Sequence, residues 1–291
     1  DQFGFYNLDI RKVLEAVYVN YQGNKECEDF IAMTIYLKRI WFSNGIYHHY
    51  GSEKFAPEFS PAFLLDAMKS IEPSLLPLAK GETVDGLFDR LKSAIFDHSF
   101  LPKKVNKADG CDLVATSACN FYHNVSQHEV EDYYSSLKAT VDKNPPSFGL
   151  NSRLVKQNGE LIEQVWKIDG MYSKAIEIIV SYLRQAAEYA ENEQQQKIIS
   201  LLISYYQTGD LRVFDKYSIE WLKEQDGRID FINGFIEVYN DPLGVKASWE
   251  GIVEYKDLVA TRRTRTISDN AQWFEDNSPV DSRFKKKIVK G

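Results

Sequence analysis

The sequence predicts an α+β fold, mainly helical with a small antiparallel or mixed β core. Three patterns carry this expectation. Apolar residues recur at helical spacing through the first half, an Asn158-Gly159 pair interrupts a run of strand formers, and from Arg228 onward the period drops to two. Size and composition permit such a fold, because 291 residues with 44% hydrophobic and 13% aromatic content bury a substantial core without staples.

The first helix is expected over 9–21, where Ile10, Val13, Leu14, Val17 and Tyr18 form one stripe. A second covers 26–43 through Phe30, Met33, Leu37, Ile40 and Trp41, and Asn44-Gly45 suits a left-handed C-terminal cap. Ser60-Pro61 reads as an N-cap with proline at the first helical position, opening a helix through Met68. Ser126 with Glu129 forms a capping box ahead of Val130, Tyr133, Tyr134 and Leu137. The connections 44–59 and 97–125 are long, and long loops in a compact domain are often functional.

Strand formers on both sides of Asn158-Gly159, over 153–168, predict a hairpin with a type I′ turn. Helices follow over 171–189 and from Glu193 to Gln207, the latter stopping at Thr208-Gly209; 211–223 is helix or turn. A strand is expected over 229–239, ended by Asn240-Asp241-Pro242-Leu243-Gly244, with a second run over 246–256. Strict alternation puts Glu237 and Tyr239 on one face, about 7 Å apart along the strand and shared with Phe231 and Phe235.

Charge and cysteine usage narrow the function classes. A net charge of −7 is opposite in sign to a nucleic-acid footprint, so no DNA or RNA partner is expected. No apolar run approaches the roughly 18 residues of a membrane span, so no membrane partner is expected either. Cys27, Cys111 and Cys119 are too few and scattered for a disulfide framework and read as structural thiols of a reducing compartment, hence a cytoplasmic location. The chain starts at Asp1 without an initiator Met and reads as cut, so an export signal upstream would overturn that location.

Self-sufficient catalytic motifs are absent from the sequence: there is no HExxH, G-x-S-x-G, P-loop or GxGxxG. His48-His49 lacks a third ligand and reads as part of a polar aromatic loop, His128-Glu129 belongs to the capping box, and Lys285-Lys286-Lys287 is a short solvated run. Glu237, Tyr239 and Glu250 differ, because a carboxylate in partly apolar surroundings can hold an ammonium and a phenol beside it can donate to an oxyanion. A half-wet edge strand is the alternative reading of the same pattern.

The segment 232–244, Ile-Asn-Gly-Phe-Ile-Glu-Val-Tyr-Asn-Asp-Pro-Leu-Gly, followed by Ser248-Trp249-Glu250-Gly251, strongly resembles the signature of the dipeptidyl peptidase III family of zinc exopeptidases. Tyr189-Ala190-Glu191-Asn192 and Tyr206-Gln207-Thr208-Gly209 add to the likeness at matching distances upstream. The run Trp41 to Gly51, continuing through Lys54-Phe55-Ala56-Pro57, is similar to the bacterial branch of that family. The resemblance extends through essentially the whole chain.

That resemblance implies one lobe of a two-lobed peptidase, with helices around a small β-barrel-like core and the active site in the cleft between lobes. The change of period along the chain separates a helical part, 1–150, from a part carrying the hairpin, helices and β core, 151–291, together one compact lobe. The family's zinc motif, His-Glu-x-x-Gly-His, lies downstream on the other lobe, so zinc belongs to the full-length enzyme, with no metal ligands expected here and no activity from the chain alone. By position in the motif, Glu237 binds the free N-terminal ammonium of a short peptide, Glu250 assists, and Tyr239 hydrogen-bonds the scissile carbonyl or its oxyanion. The partners implied are short peptides with a free N-terminus and the catalytic lobe. Two other readings stand beside this one: a non-catalytic peptide-binding or scaffold module of the same fold, and a helical small-ligand domain without peptidase ancestry.

Overall fold

The structure, a computed structural model, describes residues 2–141 and 143–289. Helix α1 (Asn7–Asn20) and helix α2 (Glu28–Ser43) pack through the stripes expected of them, with Ile10, Val13, Leu14, Val17, Met33, Leu37 and Ile40 wholly buried. Each such side chain contributes roughly 1.5–3 kcal/mol on burial, several times any difference in helix propensity, so the stripe decides the helix. Asn44 ends α2 in the left-handed region at φ 55°, with its N–H donating to the Ile40 carbonyl. Helix α3 (Pro61–Lys69) starts as expected, the Ser60 hydroxyl accepting from the Phe63 N–H.

Helix α4 (Val84–Phe96) has no counterpart among the expected elements. Thr83 caps it by accepting from the Gly86 N–H, and Leu87, Phe88, Leu91, Ala94 and Ile95 close the first hydrophobic cluster against α1 and α3. That cluster runs from Ile10 to Ala118; a second runs from Val114 to Ala247.

The second cluster is organised by a three-stranded sheet of order β1-β2-β3. Strand β1 (Tyr122–His123) runs parallel to β2 (Ser152–Gln157), which pairs antiparallel with β3 (Glu160–Val165). Asn158 at φ 52° and Gly159 at φ 86° give the two positive φ values of a type I′ turn. Helix α5 (Gln127–Ala139) carries the complete Ser126/Glu129 capping box. Helices α6 (Ser173–Glu188), α7 (Glu193–Thr208) and α8 (Leu211–Trp221) follow, so the undecided stretch after Gly209 is helix.

Strands β4 (Ile229–Glu237) and β5 (Ser248–Tyr255) form a separate antiparallel pair, and neither sheet closes into a barrel. Phe235 anchors the pair, its ring 4.8 Å from Trp166 and 6.3 Å from Tyr206 on α7. Helices α9 (Leu258–Ser268) and α10 (Ala271–Asn277) bury no residue. Among the described residues, no helix is long and apolar enough to cross a membrane.

Candidate functional site

The strand pair presents two of the three singled-out residues, and a bulge decides how. Phe235 lies opposite Trp249 and Gly234 opposite Glu250, but Glu237 lies opposite Ser248, so the register slips by one residue at Ile236. Side chains alternate along β5, which puts Ser248 and Glu250 on one side and Trp249 on the other. The extra residue delivers Glu237 to the Ser248 and Glu250 side. Strict alternation had placed Glu237 with Phe231 and Phe235, and the bulge overturns that.

Tyr239 is also placed differently from the strand reading. β4 ends at Glu237, and Tyr239 stands in the turn beyond it with 64% of its surface exposed. The shared strand face of Glu237 and Tyr239 therefore does not exist, because the chain leaves the ladder two residues too early.

What fixes this turn is Asp241, fully buried although charged. Its Oδ2 accepts from the Tyr122 hydroxyl, the Val245 N–H and the Lys246 N–H, each at 2.8 Å, and its carbonyl accepts from the Gly244 N–H at 3.1 Å. Gly244 takes φ 66°, a value that suits glycine at this turn. Asn240 adds a second tie, donating to the Ser248 hydroxyl at 3.3 Å, which in turn donates to the Glu237 carbonyl at 3.0 Å.

Below the turn, the buried Lys246 ammonium donates to the Tyr134 hydroxyl at 2.6 Å, the Ser152 hydroxyl at 3.2 Å and the Gly149 carbonyl at 3.3 Å. The Tyr134 and Ser152 hydroxyls in turn donate to one oxygen of Glu163, at 2.7 and 2.6 Å. Burial lowers the lysine to about 8, with Glu163 and Asp241 opposing the shift. On the other side of the strand pair, Trp249 donates from Nε1 to the Tyr206 hydroxyl at 2.9 Å, and Tyr206 donates to Asn233. The turn and the Lys246 cluster are thus tied by hydrogen bonds, whereas the half-buried Glu237 and Glu250 carboxylates have no hydrogen bond or ion pair among the described residues.

Tyr239 and Asn240 border a groove of about 510 Å³ whose other wall comes from the two long loops, through His49, Lys103, Lys104 and Lys107. A bridge between Glu53 and Lys103 brings those loops together. His48 accepts at Nδ1 from the Gly51 N–H at 3.0 Å, and its ring stacks on His49 at 4.7 Å, as a polar aromatic loop should. Cys27, Cys111 and Cys119 are all unpaired. Among the described residues, no three His, Cys, Asp or Glu side chains are grouped to hold a metal ion.

The sequence reading passed over Asp241, Lys246 and the lysines of the long loop. Asp241 before Pro242 carried a turn signal without revealing its partners. Lys246 and Tyr134 are 112 positions apart, and nothing local announces the pairing.

Residues 115–290 match the model of Peptidase family M49. The chain is 22% identical over 295 residues to dipeptidyl peptidase 3 of Dictyostelium discoideum, covering 97% of this chain and 41% of the relative. It is 22% identical over 288 residues to dipeptidyl peptidase 3 of Homo sapiens, covering 89% and 38%. The solved structure of DPP III from Caldithrix abyssi superposes with a TM-score of 0.59 at 18% identity, covering 99% of this chain and 41% of that one. The chain spans about two-fifths of the length of the curated relatives it matches.

Proposed function

Because the chain belongs to peptidase family M49, we propose that it is the substrate-binding lobe of a zinc-dependent dipeptidyl peptidase that releases dipeptides from the N-terminus of oligopeptides. The observation that carries this reading is the pair of unpartnered, half-buried carboxylates, Glu237 and Glu250, on one side of the bulged strand pair beside an exposed phenol. A carboxylate withdrawn from water without a partner gains most from a cation, and a peptide's α-ammonium supplies one. An internal peptide nitrogen carries no charge, so this arrangement selects chain ends.

Tyr239 then stands beyond the ammonium site with its hydroxyl free to donate to the carbonyl of the bond to be cut, where one preorganised donor is worth roughly 100-fold in rate. The described residues do not fit a zinc ion, since no three ligands converge. The metal ligands are proposed to lie in the part of the protein outside these residues, and the 291 residues alone are proposed to be inactive. Trp273, Phe274, Phe284 and Ile288, all exposed, support the other lobe as the partner that covers the C-terminal segment. A cytoplasmic location, with no nucleic-acid or membrane partner, belongs to the same proposal and is supported by the unpaired thiols and the net charge.

Reading the open reading frame past residue 291 tests this. A His-Glu-x-x-Gly-His motif downstream supports the peptidase, while a stop codon there overturns it and leaves a peptide-binding module.

A further inference from the structure

The groove beside Tyr239 has a sign opposite to the chain as a whole. The protein carries 42 acidic residues against 35 basic ones, yet the groove's lining holds Lys103, Lys104 and Lys107 and no carboxylate among the described residues. Lys103 and Lys107 are exposed. Lys104 is only 7% exposed. Its ammonium rests 5.1 Å over the Phe3 ring, and no carboxylate pairs with it among the described residues. The Lys104 backbone is fixed on both sides, its N–H donating to the Ser52 carbonyl at 2.8 Å and its carbonyl accepting from Ala118 and Cys119 at 3.1 and 3.2 Å.

A buried cation without a counter-ion is costly unless a ligand supplies the charge. Burial lowers the proton affinity of Lys104, and the one neighbour opposing that, Cys119, is itself pushed up by burial and stays a neutral thiol. We propose that this groove is an anion subsite that takes a carboxylate side chain from one of the first two residues of a bound peptide. The inference rests on the peptide reading above. With the ammonium at Glu237 and Glu250, an extended peptide advances roughly 3.3 Å per residue, so the side chains reaching the Tyr239 edge of the groove are those nearest the N-terminus. Tyr239 lines the groove together with the lysines and so borders both sites.

The test is a nuclear magnetic resonance titration of the 291-residue chain, a measurement that reads millimolar binding. Asp-Ala-Ala and Ala-Asp-Ala amides are compared with their asparagine counterparts, with Ala-Ala-Ala as amide and as free acid separating a C-terminal carboxylate from a side-chain one. The expected result is that at least one aspartyl peptide binds 5- to 20-fold more tightly than its asparagine partner, that the preference shrinks at high salt, and that K104Q abolishes it while K103Q/K107Q reduces it, neither weakening the asparagine peptides. Equal binding of each aspartate and asparagine pair, or no binding of any, overturns the proposal, as does a preference that appears only for the C-terminal free acid. N-acetylated versions tell the two readings apart. Loss of binding on acetylation with no aspartate preference sinks the groove alone, whereas an aspartate preference that survives acetylation sinks the ammonium site and keeps the groove.

Discussion

The Tyr122 hydroxyl donates to Oδ2 of Asp241 at 2.8 Å, joining strand β1 to the turn that carries Tyr239 across 119 positions of sequence. Both groups are buried, and the tyrosine is pushed far up by burial and by the Asp241 charge, so it remains a donor at any physiological pH. The same carboxylate oxygen accepts two backbone N–H groups. Tyr122→Phe removes one of the three donors and is expected to cost about 1–2 kcal/mol, and Asp241→Asn, which turns an acceptor into a donor facing N–H groups, about 2–3 kcal/mol. Urea unfolding of the two variants checks the order. Equal stability of Asp241→Asn and the parent would show that the carboxylate does not organise the turn.

Two glycines with positive φ separate strain from crowding. Gly244, at φ 66°, has nothing within 4 Å of an added methyl, whereas at Gly149, φ 88°, the methyl would meet Tyr134 and Val245 at 2.7 Å. Gly244→Ala is expected to cost about 1 kcal/mol through backbone conformation alone. Gly149→Ala adds overpacking of about 1–3 kcal/mol beside the Lys246 cluster. Thermal unfolding of both reads the difference, and a larger loss at Gly244 would contradict the described packing.

Lys246 gives the stability a definite pH dependence. Its folded value is lowered to about 8 from 10.5 by burial, so between those values the unfolded chain binds more protons and the lysine's contribution to stability rises with pH. Cys119, Tyr122 and Tyr134, all raised by burial, act in the opposite sense as the pH climbs through their unfolded values. The comparison with Lys246→Met isolates the lysine: the parent is expected to gain about 2 kcal/mol relative to the variant between pH 8 and pH 10. Parallel profiles would mean that the ammonium is not desolvated.

Tyr239, being exposed, has little to do with folding. If the full-length protein is the proposed peptidase, Tyr239→Phe in it is expected to lower kcat roughly 100-fold with Tm unchanged, the loss seen when one oxyanion donor is removed. Steady-state kinetics on a dipeptidyl substrate decide it, and an unchanged kcat removes the tyrosine from the chemistry.

Local signals in this sequence were legible where a single residue type settles the backbone. Asn44, Ser60-Pro61, Ser126 with Glu129 and Asn158-Gly159 fixed helix ends and a hairpin because capping and positive φ act within a few residues. α4 carried the same kind of signal in Thr83 and the Leu87, Phe88, Leu91 and Ile95 stripe, but Gly86 and the Gly81 turn obscured its start. The bulge at Ile236 was invisible, since a one-residue slip is set by the partner strand and changes nothing in the pattern of β4 itself. The motif therefore offered Glu237, Glu250 and Tyr239 as candidates, while the geometry that relates them could not be read from it. The same holds for Lys104, whose role depends on Tyr239 arriving from 135 residues further along the chain.

The claim on which the functional account turns is that Glu237 and Glu250 await a peptide's α-ammonium. Titrating the 291-residue chain with a neutral tripeptide, free and N-acetylated, tests it most directly, with Glu237→Gln as the control. The account predicts weak binding of the free peptide, in the millimolar range because the other wall of the cleft is absent, and its loss on acetylation or in Glu237→Gln. Equal binding of the free and acetylated peptides would contradict it.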